Sequence, residues 1–241
     1  MRLRLTPPAR RHQILEAAMP LFARKGFSGT TTKQVAEAAQ VSEGLLFKYF
    51  ANKTALYAAI VEHCSNDDPT RFQALEQLTP STATLIAVIN DVVCYFATLK
   101  QRSATEQIRH RLFLQSLVDD GEFARVGLAA FGDAILPVMN RSVAAARLAG
   151  DMDHDVTISR AFWLAALLQI MIGSMSLHGG PNPKDTAATA EWVTEASRFI
   201  LRGIGVKPAA VNLPYTSPLL NLPADINQAN TDHPLPTARV A

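Results

Sequence analysis

Between Thr30 and Lys53 the chain reads TTTKQVAEAAQVSEGLLFKYFANK. Thr31 is a good N-cap for a helix running through Ala39, with Val35, Ala36 and Ala39 inward. Gln40 and Val41 make the turn, and Ser42 caps a second helix through about Phe50. Helices this short are marginal in isolation and must bury their apolar faces together. Val35, Ala36, Val41, Leu46 and Phe50 supply a small common core, and the spacing predicts a helix-turn-helix over residues 31–50. That leaves Glu43, Leu45, Phe47, Lys48 and Tyr49 on the outer side, an unusual set for a merely solvated face.

The flanking sequence builds a frame for this pair. Ile14, Ala17, Ala18, Leu21 and Phe22 recur at helical spacing, so a helix covers residues 9–25, with Gly26 and Gly29 as its stop signal and a local kink at Pro20. Asn52 caps a further helix whose face Leu56, Ala59, Ile60 and His63 packs back on the others. The run from Ser65 to Pro69 reads as a boundary. Beyond it, helical patterns span residues 81–101, 104–118, 122–148 (kinked at Pro137), 156–178 and 184–204, and no segment alternates like a strand. The expected fold is all-α. A three-helix helix-turn-helix domain over 9–66 precedes a larger helical domain over 70–206. From 207 to 241 a proline-rich tail without periodicity is expected to be disordered or extended against the body.

Charge separates the same regions. Residues 1–53 carry nine Lys/Arg against Glu16, Glu37 and Glu43, a net +6, while the remainder has fourteen cations and eighteen carboxylates, a net −4. A basic end on an acidic body points to a polyanionic partner for that end. Cys64 and Cys94 form no CxxC pair and have no His at zinc-ligand spacing, so they read as buried apolar residues of a reducing cytoplasm. The segment from Ala161 to Leu177 is apolar, but it is shorter than about 20 residues and holds Gln169, so a buried or subunit-interface helix is expected and no membrane partner. GxSxG, P-loop, HExxH and dinucleotide fingerprints are absent. Asp151, Asp153 and Asp155 have calcium-loop spacing, but Val156 and Phe162 stand where such a loop needs Gly and Glu. No enzyme, metal or cofactor is expected.

The stretch ILEAAMPLFARKGFSGTTTKQVAEAAQVSEGLLFKYFANKTALY resembles the N-terminal domain of TetR-family bacterial transcriptional regulators. The matching positions are Thr30, Thr31, Val35, Ala36, Val41, Ser42, Gly44, Leu46, Tyr49, Phe50, Lys53 and Leu56. The resemblance implies a DNA-binding role for Thr31, Lys33, Ser42, Glu43, Gly44, Leu45, Phe47, Lys48, Tyr49 and Lys53. By that resemblance Thr31 and Lys53 hold phosphates, Tyr49 adds a phosphate hydrogen bond, and Gly44 allows close approach to the duplex. Glu43, Leu45 and Lys48 are candidates for base contacts, and Lys33 for either base edge or phosphate. Two departures stand out: Phe47 replaces a common Tyr and loses a hydroxyl, and Gln40 stands where the turn often has Gly.

The body resembles the family only in layout. Phe96, His110, Phe113, Leu117, Phe131, Met139, Trp163 and Gln169 are candidates to line a pocket for a small, hydrophobic effector. Leu167, Ile170, Gly173, Ser174, Trp192, Ala196 and Phe199 are candidates for a homodimer interface, since residues 156–178 are apolar almost all round. The expected function is a homodimeric, ligand-responsive repressor of the bacterial cytoplasm, binding double-stranded DNA at a palindromic operator. The alternatives are a ligand-independent DNA-binding protein, a helical enzyme or a membrane-associated protein.

Overall fold

The computed structural model describes residues 5–66, 73–153, 158–178 and 186–213. The elements are α1 (Pro7–Gly29), α2 (Thr32–Ala38), α3 (Glu43–Tyr49), α4 (Lys53–Asn66), α5 (Gln73–Glu76), α6 (Thr82–Ala97), a 3-10 turn (Leu99–Gln101), α7 (Ala104–Val118), α8 (Glu122–Leu148), α9 (Ile158–His178) and α10 (Thr186–Gly203). The fold is all-α. Among the described residues the only β pairing is an isolated bridge between Met152 and Val206.

The chain divides into two compact units that are not contiguous in sequence. The first combines the residues up to Pro69 with Ser103–Gly132, and the second combines Thr70–Arg102 with the residues from Asp133 onward. The sequence division at 66–70 separates the helix-turn-helix frame from everything after it. In the structure, α7 and residues 122–132 of α8 join that frame through the core they share. Ile14, Leu15, Ala18, Met19 and Phe22 of α1 meet Val35 and Ala36 of α2, Leu46 of α3, and Leu56, Tyr57 and Ile60 of α4. Leu112 of α7 and Phe123 of α8 are buried in the same cluster. α7 packs closely along α1, adding to the cover that α2 and α4 give it.

Local signals account for the helix ends. Thr6 caps α1 and Pro7 and Pro8 open it, where a missing N–H costs nothing. The backbone stays helical through Pro20, and the expected kink falls instead at Gly26, at φ 71° and ψ 179°. Ser81 and Ser103 cap α6 and α7, the latter in a capping box with Glu106.

In the second unit α6 packs against both α9 and α10. Its Leu85, Ile86, Val88, Ile89, Val93 and Cys94 are all buried. Burial pushes the Cys94 thiol up to about 11, and Cys64 and Cys94 form no disulfide. Asp151, from the acidic triplet, accepts a hydrogen bond from Thr82 Oγ1 at 2.6 Å, and its carbonyl accepts from Lys207 N at 2.8 Å. Lys207–Leu213, assigned from sequence to the tail, is thereby fastened to this unit, with Ala210 and Val211 buried; residues 214–241 lie outside the described residues. Arg160–His178 is long and apolar enough to cross a membrane by length and composition. It packs on α6, with Phe162, Ala165, Ala166 and Ile170 buried.

Leu112 is 1% exposed and sits more than fifty residues beyond the helix-turn-helix. Leu112→Ala should destabilise the N-terminal unit by about 2–4 kcal/mol, the range for a buried leucine truncation. Hydrogen exchange of α1 and α4 amides measures this, and unchanged protection there would refute the shared core.

Candidate nucleic-acid interface

The helix-turn-helix is built from short-range hydrogen bonds. Thr31 Oγ1 accepts from Gln34 N at 3.2 Å, and Gln34 Oε1 accepts from Thr31 N at 3.3 Å, a complete capping box. At the other end of α2, Val41 N donates to Ala36 O at 2.9 Å and Gln40 N to Glu37 O at 3.1 Å. This is the Schellman pattern, and it places Gln40 at φ 55°. A β-carbon in that region costs on the order of 1 kcal/mol, which is why glycine is common there. The turn therefore keeps its form despite the side chain. Gln13 Nε2 of α1 donates to Ala39 O at 3.0 Å and ties the turn to the frame.

Ser42 caps α3, its Oγ accepting from Leu45 N at 3.1 Å. Leu46 is fully buried and Phe50 3% exposed, with the Arg11 guanidinium 5.4 Å from its ring centre. These two residues anchor α3 from behind. The opposite side presents Glu43, Gly44, Phe47 and Lys48 exposed, with Leu45 and Tyr49 half-buried at its edges. Phe47 keeps 44% of its surface exposed. Glu43 Oε1 accepts from Thr32 Oγ1 at 2.9 Å, so its carboxylate also joins the starts of α2 and α3. A β-carbon built on Gly44 meets nothing within 4 Å. The interior places no demand for glycine there.

Lys53 is placed differently from its sequence expectation. Its ammonium donates to Phe27 O at 2.9 Å and Thr30 O at 3.2 Å, and lies 4.4 Å from the Phe27 ring centre. The charge is directed at the corner between α1 and α2. From the other side, Asp119 at the end of α7 accepts from Ser28 N at 3.1 Å and Ser28 Oγ at 3.0 Å. A β-carbon on Gly26 would lie 2.5 Å from Asp119 Oδ2, so only glycine admits this grip. The Ser28 backbone hydrogen bond above all holds the Asp119 carboxyl below its ordinary range; it outweighs the opposing burial penalty with help from the Ser28 hydroxyl, the Phe27 amide and the Lys53 charge. Tyr57, facing Ser116 and Asp120, is raised to about 12 by burial. Asp119, Asp120 and Gly121 fall between the helical spans 104–118 and 122–148 read from sequence, and the 91-residue distance from Ser28 to Asp119 leaves no local signal of this contact.

The remaining candidates for DNA contact, Thr31 as the cap of α2 and Lys33 in its first turn, are exposed. The eight effector candidates are shared between the units. His110, Phe113, Leu117 and Phe131 belong to the first, where Phe113 packs on the common core and Leu117 is 47% exposed. Phe96, Met139, Trp163 and Gln169 belong to the second. There Met139 is buried, Trp163 is partly exposed, and the buried Gln169 Nε2 has no hydrogen-bond partner among the described residues. A groove of about 240 Å³ in the second unit is lined by Leu75, Glu76, Asp133, Ala134, Pro137, Val138 and Arg141, none of them candidates. Of the dimer candidates, Leu167 and Phe199 are exposed, Ser174, Trp192 and Ala196 half-buried, and Ile170 and Gly173 buried within the unit.

Residues 14–60 match the family model described as bacterial regulatory proteins, tetR family. The HTH-type transcriptional repressor NicS of Pseudomonas putida is 25% identical over 202 residues, covering 80% of this chain and 92% of that protein. The uncharacterised HTH-type transcriptional regulator YvkB of Bacillus subtilis is 49% identical over 55 residues, and the match spans 22% of this chain and 29% of that protein. Among solved structures, the transcriptional regulator FadR from Bacillus subtilis in complex with stearoyl-CoA has a TM-score of 0.54 at 14% identity, covering 80% of this chain and 98% of that one. That likeness is one of fold.

The Asp119 contact has a defined pH signature. Because its folded pKa is depressed, its contribution is present above the unfolded value of about 3.9 and is lost as pH falls through the lower folded value. Asp119→Asn should lower Tm at pH 7 and pH 5, with the difference from the parent closing below about pH 4. Parallel melting curves across that range check it, and a pH-independent difference would remove the carboxylate from the corner.

Proposed function

We propose that this chain, which belongs to the tetR family of bacterial regulatory proteins, is a homodimeric, ligand-responsive repressor that reads a palindromic operator through the major groove with α3. One observation carries the reading: α3 is anchored by Leu46 and Phe50 and turns Glu43, Gly44, Phe47 and Lys48 outward, with open space around Gly44. A glycine without an internal role, in the first turn of an outward helix, suits close approach of another surface. A duplex fits the net +6 of residues 1–53. Thr31 accepts within its own capping box, leaving its hydroxyl proton to donate outward to a phosphate. Lys48 and Glu43 offer a donor for guanine and an acceptor for cytosine, and Leu45 and Phe47 offer apolar contact to thymine methyls. Lys33 adds phosphate contact. Lys53 supports the site from behind through the corner, and the first turn of α4 that it opens still presents amide groups to an anion.

Dimerisation is supported by what the second unit leaves uncovered. Leu164, Leu167 and Met171 lie on one stripe of α9 with 68%, 53% and 54% of their surface exposed, and Phe199 of α10 is 71% exposed. A second copy covering these faces in a two-fold arrangement places two α3 helices about 34–36 Å apart, one turn of DNA. Repression is the reading favoured by similarity to NicS, which is named a repressor. The effector is proposed to be mostly apolar and to occupy the second unit, where Gln169 Nε2 is a buried donor in search of an acceptor. FadR of Bacillus subtilis, solved with stearoyl-CoA, is a precedent in the same fold. Bound effector releases DNA by favouring a spacing of the reading helices that no longer matches successive grooves. A thermal-shift screen in which only charged compounds stabilise the protein would overturn the apolar choice.

Selection of genomic DNA by the purified protein tests the central claim. The expected product is a palindrome with half-sites about one turn apart; recovery of no common sequence would refute it. Gly44→Ala should leave Tm unchanged or raise it, by up to about 1 kcal/mol in stability, because alanine favours the helix and meets no neighbour. It should nonetheless weaken operator binding at least tenfold in an anisotropy titration. Full affinity in a stable Gly44→Ala protein would show that α3 does not approach the duplex there. Leu167→Glu combined with Phe199→Glu should yield a monomer by sedimentation; a persistent dimer would place the interface elsewhere.

A further inference from the structure

We propose that His12, Glu16 and His63 form a binding site for a first-row divalent transition-metal ion, zinc being the reference case, that bridges α1 and α4. His12 and Glu16 stand four residues apart on α1, so their side chains share one face. His63 reaches the same place from α4. One donor atom from each lies within 4.8 Å of the other two. His63 Nε2 and Glu16 Oε1 are already 3.2 Å apart, and the two imidazole rings meet edge to face at 5.4 Å.

These spacings suit a small ion. Zinc bonded tetrahedrally at about 2.0–2.1 Å holds its ligand atoms about 3.3 Å from one another. The Glu16–His63 pair has that separation, and a modest rotation of the exposed His12 side chain supplies the third ligand. Two imidazoles and one carboxylate suit zinc, cobalt, nickel or copper, whereas calcium and magnesium call for an all-oxygen shell. An ion pair between His63 and Glu16 uses one imidazole only. The second, His12, lies against the same pair and adds a nitrogen that such a pair does not need.

Three protein ligands leave a fourth position for water, and the exposure of His12 and Glu16 gives an open path for the ion. The bridge spans 47 residues of sequence between Glu16 and His63. It joins the two long helices that frame α2 and α3, so bound metal stabilises the unit that presents the reading helix. The site does not depend on the identity of the operator or the effector.

Tag-free full-length protein, stripped with EDTA, provides the test. Titration with Zn²⁺ by calorimetry is expected to give one saturable site, and Zn²⁺ at 100 times its Kd should raise Tm by about 5–10 °C. Substitution by Co²⁺ should give visible absorption bands of nitrogen and oxygen coordination. His12→Ala is expected to fold as the parent, since its side chain is exposed, and to lose both the cobalt bands and the metal-dependent shift. Glu16→Gln should weaken binding at least tenfold, and His178→Ala, on α9, should leave it unchanged. Failure to saturate with either metal, or saturation that survives both His12→Ala and Glu16→Gln, would reduce the cluster to an ion pair.

Discussion

The reversal of the chain between Gly26 and Thr31 is the constraint on which the N-terminal unit depends. One helix ends there with carbonyls in need of donors, and another begins with amides in need of acceptors. Lys53 donates to the Phe27 and Thr30 carbonyls, Thr30 Oγ1 donates to Gly26 O at 2.8 Å, and Asp119 accepts from Ser28. A cation from α4 and an anion from α7 thus satisfy opposite needs of the same short reversal. Gly26 permits the arrangement because its φ of 71° and the nearby carboxylate leave no place for a β-carbon. The direction in which α2 leaves this corner sets where α3 lies. The orientation of α3 is consequently held in part by residues outside the helix-turn-helix.

The two faces of α3 follow different rules. On its inner side Leu46 is fully buried and Phe50 nearly so, and each has neighbours that explain its identity. On its outer side Phe47 and Gly44 have no packing explanation: one exposes a large ring, the other sits in open space with a helix-weakening residue. Residues whose cost is not recovered inside a protein are the ones to explain by a partner. The same reasoning gives Lys53 a largely internal task, although its position in the sequence pattern is the same as that of a phosphate contact. One positive charge can match the motif and still be spent on two carbonyls.

What the sequence made legible was local. Thr31, Ser42 and Asn52 are caps in the structure as in the sequence, because a cap is decided by a side chain and an amide three residues away. Helix ends were readable to within one or two residues in α2, α3, α7 and α8 for that reason. The turn at Gln40 was legible as a turn, but its left-handed residue was not, since glycine is the usual marker and glutamine gives no sign. What stayed hidden was non-local. Nothing near Asp119 announces Ser28, and nothing near Leu112 announces that it completes a core begun at Ile14. The effector candidates show a further limit. Phe113 and Phe96 are the same residue type at similar helical spacing, yet one packs on the first unit's core and the other belongs to the second unit. Periodicity identifies an apolar face without saying what covers it.

That limit is sharpest in α9, where hydropathy alone admits a membrane span over Arg160–His178. The structure separates two apolar faces. The inner one, with Phe162, Ala166 and Ile170, is packed on α6 and contains polar groups that need protein partners: Ser176 Oγ donates to Ala97 O at 2.9 Å and accepts from Lys100 N. The outer one carries Leu164, Leu167 and Met171 without cover. A bilayer would have to surround the whole helix, whereas half of it is already enclosed by its own unit. The uncovered part is a stripe rather than a cylinder. A stripe of that shape is matched by another helix face, and an identical one on a second copy satisfies the match for both chains at once through a two-fold axis. The same axis is what a palindrome requires, so in the proposed dimer the face that hydropathy would assign to lipid would instead pair two copies of the chain.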